Sequence, residues 1–571
     1  VADIPSIPFR HSQGSPTRDL ASTERTVFAV GVIFVAAALL LIIALPLVTL
    51  LAKSFTDADG AFVGLANYRS YFSTPALVQS LWNSVWVSAL STAIVIPLAF
   101  GYAYSVTRTA LRFKPLFMAV ALLPLFTPSL LSAISFIYIF GNQGFLKSWL
   151  LGGTIYGPTG IVLAQVFYCF PHAFLIIATA LGLADQRLYD AAQVMGTSRW
   201  RTFTAVTLPG AKYGLISAGF VVFTLVITDF GVPKVIGGQF SVLATDAYKQ
   251  VVGQQNFPMG AVVGFILLVP AVLAFVTERL TQRRQVALLS ARAVPLVPKA
   301  NPLVDGLAMA FCTGFGLMLV CVLAVAVWAS FVTYWPYNLS LSLKNYHFAE
   351  FDPTGWQPYI NSILMAAIAA VIGTVLSFVG AYFVEKGRDL PAGRSLIQLL
   401  AMLPMAVPGL VLGLAYVFFF NAPWNPLGVL YATLPLLAIN CVAHFYTVAH
   451  ITATTALKQI DREFESVSQS LKVPFWCTLG RVTVPICMPA ILDIAVYLFV
   501  NALTTVSAVV FLYGAQTKVA AISIVHLDEA GATAAAAAMA TVIFATALGV
   551  KVMHLAASKW IFKRLQVWRQ R

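Results

Sequence analysis

Twelve apolar stretches recur along the whole chain, at 26–51, 81–105, 114–140, 160–183, 213–236, 258–278, 304–332, 362–385, 395–420, 433–457, 490–513 and 531–557. A helix rises about 1.5 Å per residue, so about 20 apolar residues suffice to cross the ~30 Å hydrocarbon core of a bilayer. Within that core every backbone N–H and C=O must find a partner inside the protein, which leaves helices or a closed barrel. Stretches of this length exclude the barrel and predict an all-α polytopic membrane protein of about 12 transmembrane helices. With 59% hydrophobic and only 10% charged residues, no soluble core could hide this much apolar surface. The stretch 26–51 is too long for a signal-peptide core and lacks a small-x-small cleavage site, so it is expected to remain as a helix.

Two polar, helix-compatible segments interrupt this pattern in matching places. The first is 187–209, RLYDAAQVMGTSRWRTFTAVTLP, and the second is 462–485, REFESVSQSLKVPFWCTLGRVTVP. Aligning their terminal prolines, Pro209 and Pro485, defines a single offset between two parts of the chain. Other matches keep nearly the same spacing. Leu123-Pro124 and Pro128 fall on Leu403-Pro404 and Pro408, Asn83-Ser84 on Asn361-Ser362, and Asp185 on Asp461. A tandem duplication of six helices accounts for all of them. The predicted organisation is a polar tail 1–25, a first half 26–281, a linker 282–302 with three prolines, and a second half 303–571.

Basic residues set the expected orientation. Arg108, Arg112 and Lys114, then Arg187, Arg199, Arg201 and Lys212, then Arg279, Arg283, Arg284 and Arg292 cluster in alternate loops. The stretch 141–159 carries only Lys147, and 421–432 carries no basic residue. Positive loops stay in the cytoplasm, which predicts both termini and both polar segments on that side of a bacterial inner membrane. The same bias accounts for the net charge of +14 without a nucleic-acid partner. The six cysteines lack metal-ligand spacing and read as packing residues.

The segment 187–209 resembles the EAA loop of ABC-importer permeases through Asp190, Ala191, Ala192 and Gly196 with Leu208-Pro209. Residue chemistry fits: an acid suits a helix N-terminus, small side chains permit close approach, and Gly196 permits a turn. The second copy departs from the pattern. Ser466, Val467 and Ser468 replace Asp-Ala-Ala, Glu465 sits one residue early, and Lys472 occupies the glycine position. The resemblance implies that Asp190, Ala191, Ala192, Met195 and Gly196, with Glu465, Ser466, Ser468, Leu471 and Lys472, meet two copies of an ATPase subunit. It also implies a solute-binding protein outside, and ATP and Mg held by the partners, not by this chain. The whole layout is similar to fused permeases of the ferric-iron and 2-aminoethylphosphonate importers. The stretches 223–238, 288–298, 500–513 and 528–539 are most similar to the 2-aminoethylphosphonate branch.

No phosphate-binding Gly-x-x-x-x-Gly-Lys-Ser/Thr loop, His-Glu-x-x-His helix, Cys-x-x-Cys pair or Gly-x-Ser-x-Gly elbow occurs. The expectation is a transport subunit without catalytic, cofactor or metal residues of its own. Asp229 lies about 24 Å along its helix from Tyr213, towards the outer end. It either lines a pathway for a cationic group or locally supports the break at Gly231 and Pro233, or pairs with Lys234. Thr228 precedes it. In the second half Thr505 matches Asp229 and forms a polar stripe with Asn501, Thr504 and Ser507, read as pathway lining or as interhelical hydrogen bonding. His172, His444 and His450 are scattered and read as structural. A twelve-helix secondary transporter remains the reading from another class; it leaves the doubled polar loop without a role.

Overall fold

A computed structural model describes residues 16–286, 294, 296–387, 390–461, 463–471 and 473–565. Among the described residues, ten continuous helices have the length and apolarity to cross a membrane, and two further pairs do so only as bent units. In chain order we label them α1 (Thr23–Lys53), α2 (Pro75–Arg108), α3 (Lys114–Phe126 with Ser129–Phe140), α4 (Pro158–Gly182), α5 (Arg199–Thr228), α6 (Phe257–Thr277), α7 (Pro302–Phe331), α8 (Gln357–Lys386), α9 (Pro391–Ala406 with Gly409–Phe420), α10 (Leu434–Lys458), α11 (Phe475–Thr504) and α12 (Thr533–Lys559). A short antiparallel hairpin, β1 (Val332–Tyr334) and β2 (Asn338–Leu341), follows α7.

The Pro-x-x-x-Pro sequences of α3 and α9, which predict a kink in each span, break the helices outright. The two helices turn there by 100° and 116°. Pro124 and Pro404 lack the N–H that would continue the ladder, and both sit in tight 3₁₀ turns. Thr127 and Val407 then adopt extended backbone because each precedes a proline. Each bent pair still carries the chain from one face of the bundle to the other. Ala110, before α3, donates its N–H to Asp305 at the start of α7, whereas Phe145, after α3, packs on Trp335 beyond the other end of α7. On the α9 side, Arg394 donates to the Val384 carbonyl near the end of α8, and Ala432 accepts from Thr517, whose neighbour Lys518 accepts from Asn361 at the start of α8. The described residues therefore make twelve traverses.

Other boundaries shift for physical reasons. Helix α5 stops at Thr228, with Asp229 extended, so the predicted stretch 213–236 is a helix, a break and the short helix Gly231–Ile236. Likewise α11 stops at Thr504, and 505–513 is turn where a helix was expected. The helix containing α6 continues to Val286, into the expected linker, and helix already begins at Pro16, inside the expected polar tail. A π turn precedes Pro209 and Pro485 alike, Phe203–Thr207 and Leu479–Thr483. The missing proline N–H leaves the ladder a place to admit one extra residue.

The two halves exchange their first helices. Helix α1 packs on α8 and α9 of the second half, and α7 packs on α2 and α3 of the first. Close approach needs small residues: a Cβ on Gly31 of α1 would lie 2.3 Å from the Phe383 ring of α8. Buried polar side chains fix the far ends of the helices identically in both halves. Asn67 donates to the carbonyls of Ser54 and Thr56, as Asn345 does to those of Ser330 and Val332. Ser54 meets Tyr68, and Ser330 meets Tyr346, each at 2.8 Å. Ser84 accepts the Leu243 N–H, and Ser362 accepts the Ala520 N–H, each at 2.7 Å.

Candidate functional site

The doubled polar segments form two helix–turn–helix hooks on one face of the bundle. The first begins with the helix Gln186–Val194, capped by Asp185, which accepts the Arg187 N–H. The Arg187 side chain also bonds Asp185 and is the main reason its carboxyl is held down at about 2. The second hook begins with Glu463–Ser470, where Asp461 accepts the Glu463 N–H. Both helices close in the same way. Met195 and Thr197 donate to the carbonyls of Ala191 and Ala192, and Leu471 and Val473 donate to those of Val467 and Ser468. Gly196 takes φ +66°, the left-handed conformation that this closure requires and that glycine adopts without steric cost. Lys472, at the equivalent position, lies outside the described residues.

A hydroxyl bridge locks each turn to the following helix, but from different positions. In the first hook Thr197 bonds both the Ala192 carbonyl, at 2.8 Å, and the Thr202 hydroxyl, at 3.0 Å. In the second, Val473 replaces that threonine, and Ser468, at the position of Ala192, bonds Thr478 and the Val473 carbonyl instead. The next helix is capped by Ser198 in the first hook. Pro474 stands there in the second, and Glu24 of α1 accepts the Phe475 N–H at 3.0 Å.

Each hook is clamped to the membrane bundle by a cation at the end of a long helix. Arg108 of α2 donates to the Leu181 carbonyl at 2.7 Å and lies over the Tyr189 ring, 5.2 Å from its centre. Tyr189 in turn meets Thr207 at 3.0 Å. In the second half Lys386 of α8 donates to the Ile460 carbonyl at 3.1 Å and pairs with Glu465 at 3.0 Å. Glu465 thus stands where Tyr189 stands, turned inward to Lys386; it is not a displaced copy of Asp190. Arg108, Tyr189 and Lys386 were not among the residues expected from sequence. The signal was there: Arg108 falls on Lys386, and Tyr189 on Glu465, at the repeat's own offset.

The remaining predicted residues divide by exposure. Asp190 is exposed and accepts from Gln186 at 2.8 Å. Ala191 is exposed, but Ala192 is buried within the hook, so only one alanine of the pair can meet a partner. Ser466 is exposed and Ser468 half-buried. Met195 and Leu471, equivalent residues at the two tips, are 78% and 70% exposed. Val194 at 89% and Trp200 at 74% extend the first apolar tip, and Val467 at 56% the second. Large apolar side chains thus stand exposed at the same place on two polar hooks.

The described linker residues bond the first hook. Gln186 donates to the Val294 carbonyl at 2.9 Å, Asp185 accepts the Val294 N–H at 3.4 Å, and Lys299 bonds Gln193 at 2.8 Å.

Towards the opposite face, Asp229 caps the short helix Gly231–Ile236. Its carboxylate accepts the N–H groups of Gly231 and Val232 at 3.3 and 3.0 Å and the Gln165 amide at 2.7 Å. Lys234 does not pair with it; that ammonium reaches Glu529 of the other half at 2.6 Å. Thr228 bonds the Thr224 carbonyl, Thr504 that of Val500 and Asn501 that of Tyr497, so these polar side chains close onto their own helices. Thr505 repeats the extended break of Asp229 and donates its N–H to the Asn501 carbonyl. His172, His444 and His450 do not converge, and among the described residues no three His, Cys, Asp or Glu side chains gather as metal ligands.

Residues 96–286 and 390–560 each match the family model described as binding-protein-dependent transport system inner membrane component. The chain is 27% identical to the ferric transport system permease protein of Actinobacillus pleuropneumoniae, over 83% of this chain and 70% of that one. It is also 27% identical to the spermidine/putrescine transport system permease protein PotB of Haemophilus influenzae, over 42% of this chain and 89% of that shorter one.

Proposed function

The chain belongs to the family of binding-protein-dependent transport inner membrane components, and on that basis we propose that it carries both halves of an importer's pore and both ATPase contacts. It is a multi-pass permease of the bacterial inner membrane. The observation that carries the coupling assignment is the pair of hooks: matched closures, matched apolar tips and matched clamps on one face. One ATPase subunit seats on Asp190, Ala191, Met195 and Gly196, and a second on Ser466, Leu471 and Lys472. Ala192, Ser468 and Glu465 act from inside, holding the hooks' shape. ATP and Mg belong to those subunits, and the chain has no cofactor. The hook face is cytoplasmic, as its arginines and lysines favour, and a solute-binding protein delivers substrate to the opposite face. Motion of a hook reaches the bundle through Arg108 and Lys386, each fixed to a long helix.

Two substrates are in view. Ferric iron is supported by the ferric permease relative, and 2-aminoethylphosphonate by the resemblance of 223–238 and 500–513 to that branch. Uptake of each labelled substrate in cells with and without the gene tests the assignment. Loss of one uptake alone fixes the substrate. If a complex carrying the Gly196→Val permease hydrolyses ATP and transports as the parent complex does, the coupling assignment is wrong.

A further inference from the structure

At the outer end of the first half, a cavity of about 430 Å³ opens between the start of α2, residues 241–256 and the start of α6. Thr74, Ser241, Asp246, Lys249, Gln254 and Asn256 line it. Asp246 is only 6% exposed. Burial is the main influence on its carboxyl and pushes it up, against the Ser80 and Ser241 hydroxyls and the Lys249 ammonium. Lys249 donates to Ser241 at 2.7 Å.

The second half carries a different set of side chains at the register of this cavity. Asn67 and Asn345 make equivalent hydrogen bonds, as do Asn83 and Asn361, and the two pairs share one offset on either side of Thr74. Thr74 therefore corresponds to Asp352. The carbonyls that Asn83 and Asn361 bond are those of Ser241 and Lys518, so these two also correspond. In the second half, Lys518 pairs with Asp352, and both side chains are nearly buried. An ion pair thus stands at the positions where two hydroxyl residues line the cavity in the first half. At the same register, Asp246 and Lys249 become Ser523 and His526, and Gln254 becomes Gly531.

We propose that this cavity binds a small zwitterion, with its ammonium on Asp246 and its anionic group on Lys249 and the amides of Gln254 and Asn256. An internal lysine–aspartate pair occupies the equivalent positions in the other half, and a zwitterion supplies the same two charges from outside. A free aminoalkyl phosphonate and the headgroup of phosphatidylethanolamine both carry this chemistry. Binding is measurable on the permease alone, so its failure leaves the transport assignment standing.

The test titrates 2-aminoethylphosphonate into the purified permease in phosphatidylglycerol nanodiscs, with ethylamine and methylphosphonate as single-charge controls. The zwitterion is expected to bind at least tenfold more tightly than either control, with binding lost in Asp246→Asn. The double variant Thr74→Asp/Ser241→Lys installs the second half's own ion pair, keeps the fold and should also abolish binding. Added phosphatidylethanolamine that competes identifies the lipid headgroup as the ligand, and lack of competition identifies the free solute. Equal affinity for all three probes, or unchanged binding in the double variant, overturns the proposal.

Discussion

The clamp on the second hook gives the sharpest test of how the hooks are held. Lys386 and Glu465 are 6% and 18% exposed and 3.0 Å apart. Removing one partner of such a pair strands the other charge, at a cost of about 3–5 kcal/mol. Lys386 keeps its bond to the Ile460 carbonyl, which places Glu465→Ala at the low end, about 3 kcal/mol. Because the pair joins the hook to α8, the loss falls on local opening of the helix Glu463–Ser470. At about 1.4 kcal/mol per decade, opening rises roughly a hundredfold. Hydrogen exchange of amides 463–471 reads this directly, with the first hook as internal reference. The double variant Lys386→Arg/Glu465→Tyr installs the first half's own clamp. A cation–π contact contributes about 2 kcal/mol when desolvated, so exchange should return at least tenfold towards the parent. If Glu465→Ala leaves exchange unchanged, or the double variant exchanges as fast as the single one, the clamp does not hold the hook.

Three further outcomes follow from the geometry. Gly196→Val forces a β-branched residue to φ +66° at about 1–2 kcal/mol, and should lower the ratio of solute transported to ATP hydrolysed in vesicles containing the full complex. A Cβ on Gly231 would lie 2.5 Å from the Ser129 hydroxyl, and one on Gly409 2.9 Å from that of Ser507; Gly231→Ser should therefore lower the melting temperature, and Ser129→Gly added to it should restore it. Burial raises the Asp528 carboxyl to about 6, near the Lys234–Glu529 pair that joins the halves. A raised carboxyl favours the folded state only when protonated, so stability from this group should grow as pH falls from 7 through 6 towards 4; Asp528→Asn should remove that dependence in melting curves.

Sequence pattern reveals an element when its signal is periodic or local, and hides a contact that joins distant segments. The twelve traverses, the duplication and the hook positions were legible because apolar length and a nearly constant offset are one-dimensional. The breaks at Thr127 and Val407 were half-legible: the prolines predicted kinks, but a 100° turn depends on where the flanking half-helices pack. The early ends of α5 and α11 were hidden because residues 230–236 and 506–512 are apolar enough to read as helix, while Asp229 and Thr505 take extended backbone. Asp229 itself resolves into a helix cap, one of the roles its position allowed. Glu465 was read along the chain as a shifted acid, when its partner Lys386 lies at the end of α8, two spanning helices earlier in the chain.

What the duplication preserved is the contact, and residue identity moved around it. The lock hydroxyl sits at Thr197 in one hook and at Ser468, the counterpart of Ala192, in the other, and both reach the same threonine position, Thr202 or Thr478. The cap of the second hook helix moved from Ser198 to Glu24 on another helix. Glycine and serine exchanged sides between Ser129–Gly231 and Gly409–Ser507, keeping one small partner in each close approach. The clamp kept a cation on the long helix while its partner changed from an aromatic ring to a carboxylate. A motif written as Asp-Ala-Ala-x-x-x-Gly scores the second hook as degenerate because it records residues in one segment. The closure, lock and clamp each depend on a pair, and every pair is complete. The second hook is therefore tied to α8 as the first is to α2, and the first is bonded in addition by the described linker residues Val294 and Lys299.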